Sequence, residues 1–205
     1  MTIAKMILKI NKVFERVENL QFKYIFIIHY TILKILKKKR DIMDSSEAIF
    51  NSLKDCGIDF IVSVPCVNLS KLLNMIDDDS EITHIPVTRE EEGIGICAGA
   101  YLGGKSPAIL MQNSGLGNSI NALKSLMELY EFPLLMIMSH RGTEDENICG
   151  QIPMGESTPR ILEGMEFKFF KPANPEGAYE DIRHAWDLSK EEGKPVSILL
   201  EIKYW

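Results

Sequence analysis

From Asp44 onward the sequence predicts an α/β fold, a doubly wound and mostly parallel sheet, and three observations carry that prediction. Short apolar, β-branched runs such as DFIVSV, PAILMQ and PVSILLEI recur along the chain. The segments between them have helical length, as crossovers between parallel strands require. Polar and glycine-rich residues gather after the strands, on the edge where open α/β sheets hold their ligands.

The first helix is predicted in DSSEAIFNSLKDCG, with Asp44 as N-cap, Glu47 completing a capping box and Gly57 as the stop. DFIVSV is continuously apolar and short, so it reads as a buried strand ending at Pro65. NLSKLLNMI is helical, and EITHIPV returns as a strand. EEEGIGICAGAYL has helical length but few large side chains. PAILMQ is a strand, GNSINALKSLMELY a helix and PLLMIMSH a strand. After a polar loop, TPRILEGM gives a short helix and FKFF a strand. PEGAYEDIRHAWDLSKEE is amphipathic with Pro175 near its first turn, and PVSILLEI is the last strand. No internal repeat or low-complexity tract appears.

At 205 residues and 45% hydrophobic content, the chain has material for one good core. Its formal charge of −6 is unevenly spread. Residues 1–42 hold ten Lys and Arg against three acidic residues, a net of +7, which leaves −13 on the remainder. An acidic body of that size excludes a nucleic-acid groove, which needs basic stripes. Cys56, Cys66, Cys97 and Cys149 show no paired metal-ligand spacing and read as free thiols of a reducing cytoplasm.

Residues 1–43 are expected to lie outside the fold as a basic N-terminal extension, with 44–205 forming the domain. The apolar run in KYIFIIHYTILKILKKKR is broken by His29, Tyr30 and Thr31 and is shorter than the ~20 residues of a membrane helix. Its basic cluster follows the apolar part, the reverse of a secretory signal. No stable membrane insertion is therefore expected. Two readings stay open: a basic amphipathic helix on a membrane surface, or an extension that is poorly packed or not translated, with Met43 as a natural start.

Four segments follow strands on the ligand-binding edge: VPCVN, VTREEE, MQNSGLGN and SHRGTEDENICGQIPMGEST. GIGICA formally fits a dinucleotide fingerprint, but three glutamates stand where that turn would meet pyrophosphate. SGLGNS is no P-loop, since Lys and Ser or Thr do not follow the glycine. Packing explains GIGICAGAY better: Gly93, Cys97 and Ala100 or Tyr101 recur at helical spacing, and small residues let another backbone approach. Each glycine costs a helix up to ~1 kcal/mol relative to Ala. A close helix contact across a subunit interface is the compensation expected. The glutamates at the front sit where the helix macrodipole favours negative charge.

TREEEGIGICAGAYLGGK, followed after a strand by MQNSGLGNSINAL, resembles the pyrimidine-binding domain of thiamine diphosphate enzymes. Within that class the chain is similar to the family that decarboxylates sulfopyruvate and phosphonopyruvate, and most of all to the α subunits of the sulfopyruvate enzymes of coenzyme M synthesis in methanogens. SVPC, LLMIMSHRGTE and QIPMGESTP support the match, which covers nearly all of Asp44 to Trp205 and none of the extension.

The resemblance implies that a glutamate on this helix hydrogen-bonds the aminopyrimidine ring. A carboxylic acid beside a ring nitrogen shares its proton, which primes the neighbouring amino group to take the thiazolium C2 proton. Such a role accounts for a glutamate beside glycine and alanine. Aligning Gly99 with the family's small-residue pattern places it at Glu90, and aligning Tyr101 with the family's tyrosine places it at Glu91. Helical spacing favours Glu90, because Glu90, Gly93, Ile94, Cys97 and Tyr101 form one stripe.

By the same resemblance, Pro65, Asn113, Ser114, Gly115, Gly117 and Asn118 are cofactor-binding candidates, with a glycine-rich turn as the plainer role for the last five. Arg141 and Gln151 are candidates for the substrate's carboxylate and sulfonate, and His140 for proton transfer or a purely structural place. The family holds the diphosphate through Mg²⁺ and a motif beginning Gly-Asp-Gly, which this sequence lacks. A separate β subunit carrying the diphosphate domain is therefore implied, and no metal ligand is expected here. A phosphonopyruvate decarboxylase subunit, or a non-catalytic partner that stabilises a decarboxylase, are the competing readings.

Overall fold

The apolar runs become six strands of one parallel sheet in a computed structural model, which describes residues 44–205. The extension expected over residues 1–43, with its two readings, lies outside the described residues. The chain passes through helix α1 (Ser45–Asp55), β1 (Phe60–Ser63), a 3₁₀ turn (Val67–Leu69), α2 (Ser70–Asp77), β2 (Thr83–Pro86) and α3 (Glu90–Leu102). It continues through β3 (Pro107–Gln112), α4 (Gly115–Ala122), β4 (Leu134–His140), α5 (Ile152–Gly164), β5 (Phe169–Phe170), α6 (Pro175–Glu192) and β6 (Pro195–Glu201). The strand order is β2-β1-β3-β4-β6-β5, every pair parallel. The order reverses between β1 and β3, so a crevice opens beyond their carboxyl ends.

Alternation along the strands divides the core. On β3, Ala108 and Leu110 join Ile49, Leu53, Leu72, Ile182 and Trp186 on one face of the sheet. Ile109 and Met111 join Ile94, Leu116, Leu123 and Leu162 on the other. Both faces of the central strands are covered by helices, which is why these strands read as unbroken apolar runs. The polar Ser63 is satisfied within this core by His84 Nε2 at 2.8 Å, and His84 Nδ1 lies 2.6 Å from Asp77 Oδ1.

The N-cap expected at Asp44 forms, and a second N-cap and a left-handed C-cap join it. Asp44 accepts from the Ser46 amide at 3.0 Å, and Asn174 accepts from the Gly177 amide at 2.8 Å with Pro175 in the first turn of α6. Gly193 ends α6 in the left-handed region at φ 62°, where a side chain would be strained.

Four expectations are corrected. The helix expected to start at Thr158 begins at Ile152, so about a third of the supposed polar loop is α5, and the FKFF strand contracts to Phe169–Phe170. The helix α3 stripe holds for Glu90, Gly93, Ile94 and Cys97, but Tyr101 lies half-exposed against Phe132, with ring centroids 5.4 Å apart. Gly93 is small for a reason inside the domain: a Cβ there would come within 3.0 Å of both Ile109 Cδ1 and Val62 Cγ1. Helix α3 thus presses directly on the sheet. Gly95 and Gly99 face open space.

Candidate active site

Glu90 opens α3 directly after the turn that leaves β2, and its first-turn position favours a carboxylate. Only 9% of the residue is exposed, because α3 lies tight on the sheet and α4 closes over its first turn. The side chain lies against the backbone of Gly115, the first residue of α4, where a Cβ would overlap its Cγ, Cδ and Oε1. Asn118, one turn along α4, donates from Nδ2 to Glu90 Oε2 at 3.2 Å. Glu91 points elsewhere: its Oε1 pairs with Arg89 Nε at 2.5 Å, on a side chain 34% exposed. The backbone amide and Arg89 hold the Glu91 carboxyl below the usual range. Of the two glutamates left open by the sequence, Glu90 is the one that α3 turns inward.

The residues after β3 separate into two groups. Asn113 is buried and turned into the domain, where its Nδ2 donates to Thr158 Oγ1 at 2.9 Å and its Oδ1 accepts from the Arg141 amide at 2.9 Å. It ties the ends of β3 and β4 to α5. Ser114, Gly117 and Asn118 face outward beside Glu90, and Gly115 is the buried floor. Pro65 is exposed at the end of β1, and the neighbouring Cys66 thiol lies 4.0 Å from Gln112 Oε1.

Beyond β4, Arg141 grips Glu146 through Nε and Nη2, each at 2.7 Å. Glu146 also accepts from the amides of Gly142 and Ile148, at 3.1 and 3.0 Å. The guanidinium, foremost, pulls its carboxyl down to about 2. Gln151 accepts at Oε1 from Gln112 Nε2 at 2.9 Å. His140 is buried below this shelf, its Nε2 donating to the Gly155 carbonyl at 2.9 Å.

Two participants escaped the sequence reading. Gln112 bridges Ser114 Oγ and Gln151 Oε1, and its only signal was a polar residue ending an apolar strand. Glu146, five residues after Arg141, sat in a run of acidic residues with nothing to single it out. Among the described residues, no group of three His, Cys, Asp or Glu is placed to hold a metal ion, and no helix is long and apolar enough to cross a membrane.

A parallel α/β domain with the Glu90 carboxylate sheltered at the strand ends, beside a glycine-floored turn, has the layout of a cofactor-binding domain. Residues 43–163 match the family described as thiamine pyrophosphate enzyme, N-terminal TPP binding domain, and the chain belongs to that family. It is 55% identical over 163 residues to the sulfopyruvate decarboxylase subunit alpha of Methanococcus maripaludis, covering 80% of this chain and 98% of the relative. The subunit of the same name from Methanothermobacter thermautotrophicus is also 55% identical over 163 residues, covering 80% of this chain and 99% of the relative. The fold is shared with the benzoylformate decarboxylase of Polynucleobacter necessarius, with a TM-score of 0.59 at 18% identity over 78% of this chain and 30% of that one.

Proposed function

We propose that this chain is the α subunit of a sulfopyruvate decarboxylase, converting 3-sulfopyruvate to 2-sulfoacetaldehyde and CO2 in coenzyme M biosynthesis. The reaction breaks the bond between the 2-oxo carbon and its carboxylate, and one proton takes the place of the CO2 that leaves. Residues 44–205 are the pyrimidine-binding domain in this reading, with residues 1–43 as an extension outside it. A separate β subunit completes the site in the cytoplasm, bringing the diphosphate-binding domain and the Mg²⁺ for which the described residues offer no cluster.

The residues at hand fit one end of thiamine diphosphate. Glu90 offers a sheltered carboxylate held by a single amide donor, so Oε1 keeps acceptor capacity for a ring nitrogen. When bound, the cofactor supplies the electron sink for the carbanion that decarboxylation leaves. Glu90 holds and shares the proton at the pyrimidine, Gly115 admits its carboxylate, and Ser114 and Gly117 leave the approach to it open. Pro65 shapes the turn on the β1 side. Arg141 and Gln151 lie on one shelf, and a guanidinium suits either substrate oxyanion. Sequestration of Glu90 at the strand ends is the observation that carries this reading.

The test is reconstitution with the β subunit. Activity should require both chains, thiamine diphosphate and Mg²⁺, and should favour sulfopyruvate over phosphonopyruvate. Glu90→Gln should lower kcat by at least about 10²-fold with assembly intact, and Glu91→Gln should change it little. A fully active Glu90→Gln enzyme would remove the assignment, and if Glu91→Gln were the inactive variant instead, it would move by one residue. Should neither carboxylate affect the rate, a non-catalytic stabilising partner becomes the better description.

A further inference from the structure

We propose that Asn118 is a positioning residue for this reaction: its side-chain amide, with Gly115 as a floor, fixes which oxygen of Glu90 is left for the cofactor. The inference rests on the reading of Glu90 given above. Gly115 and Asn118 are three residues apart on α4 and so present themselves to the same neighbour. Gly115 leaves no room for rotation of the carboxylate toward α4, since Cγ, Cδ and Oε1 already occupy the space of a side chain there. The Asn118 amide donates to Oε2 at 3.2 Å, and Oε1 accepts no hydrogen bond from the described residues. Floor and donor together convert a flexible glutamate into one with a single free oxygen at a set orientation.

A bland role for Asn118 would be that of a surface residue on an amphipathic helix. Its side chain is exposed and bonds nothing else among the described residues, so that role predicts no effect of truncation on chemistry. The positioning role predicts an effect on proton traffic with little effect on folding.

The test uses the assembled two-chain enzyme loaded with thiamine diphosphate, and compares wild type with Asn118→Ala, Asn118→Asp, Glu90→Gln and the Glu90→Gln/Asn118→Ala double variant. Exchange of the thiazolium C2 proton for deuterium, read by proton NMR after acid quench, is measured beside the cofactor Kd, kcat and substrate KM. Asn118→Ala should slow exchange and kcat about tenfold with KM within about twofold, the signature of a lost hydrogen bond to a reacting group. Asn118→Asp keeps the shape but replaces the donor by a second carboxylate, so it should be slower still. The double variant should be no slower than Glu90→Gln alone, because both changes act through one carboxylate. Wild-type exchange in both Asn118 variants, with exchange abolished in Glu90→Gln, would overturn the positioning role and leave the Glu90 reading standing. Additive slowing in the double variant would also overturn it. Wild-type exchange in Glu90→Gln would overturn the Glu90 reading itself.

Discussion

His140 donates from Nε2 to the carbonyl of Gly155 at 2.9 Å, inside the domain. That carbonyl is available because Pro159 stands four residues later in α5 and has no N–H to offer it. The imidazole therefore replaces the hydrogen bond that the proline removed from the helix. His140 Nδ1 has no hydrogen-bond partner among the described residues and lies 4.0 Å from Glu201 Oε1, while the bond to a carbonyl places a hydrogen on Nε2.

Burial, first of all, pushes the His140 pKa below its ordinary value, and nearby Lys171 adds to that. A histidine whose folded pKa is depressed binds fewer protons folded than unfolded. Its stabilisation is complete above the unfolded pKa, about 6.5, and is lost as pH falls toward the folded value. Thermal denaturation should show Tm level above about pH 7 and declining below about 6.5. His140→Gln removes the titration and should flatten that decline. An unchanged slope in the variant would assign the acid sensitivity elsewhere.

The Arg141–Glu146 pair braces the shelf after β4, and its two halves predict different outcomes. The Glu146 side chain is only 2% exposed and accepts four hydrogen bonds, so Glu146→Ala should cost roughly 2–3 kcal/mol, read as a fall in Tm. Arg141→Lys cannot reproduce the bidentate grip and should cost part of the same amount. With the Glu146 pKa drawn down to about 2, the contribution stays whole above the ordinary carboxylate range near 4.5 and is lost as pH falls from there toward 2. If the guanidinium also contacts substrate, Arg141→Ala should raise KM well beyond what Glu146→Ala does. Equal effects on KM would confine the arginine to bracing the loop.

Gly115→Ala places a methyl group inside the volume of the Glu90 side chain. The flexible glutamate, not the backbone, is what moves. The variant should therefore lose kcat by about 10²-fold while its stability changes by only about 1–2 kcal/mol. Retained activity with a normal Tm would show that the carboxylate has more freedom than the packing implies.

The alternation of strands and helices was legible because each buried strand is short and continuously apolar, and because Asp44 caps the first helix and Pro175 opens α6. The inward turn of Glu90 was legible too, since it shares a helical stripe with Gly93, Ile94 and Cys97. What escaped depends on contacts between elements. The start of α5 at Ile152 was hidden by polar residues and by Pro159, which argues against a helix until His140 supplies the missing donor. Arg141 looked free for an anion because Glu146 reaches it only through the loop's own turn. Asn118 and Glu90 are 28 residues apart, and no local pattern announces their hydrogen bond.

The glycines of α3 make the last prediction, because the structure divides them. Gly93→Ala would force a methyl group to 3.0 Å from Ile109 and Val62 on the sheet, so it should destabilise the chain by roughly 1–3 kcal/mol. Gly95 and Gly99 meet nothing within 4 Å, and alanine there should stabilise the isolated chain by up to about 1 kcal/mol each through helix propensity alone. If that were the whole account, the two glycines would be a needless weakness on an exposed helix. The small-residue stripe expected to meet another subunit, Gly93 and Cys97, faces the sheet instead; if a subunit packs on the outer face, the Gly95 and Gly99 variants examine it. Gly95→Ala and Gly99→Ala should raise the Tm of the isolated chain yet weaken its association with the β subunit, measured by sedimentation or calorimetry. A raised Tm with undiminished association would place the subunit contact elsewhere on the domain.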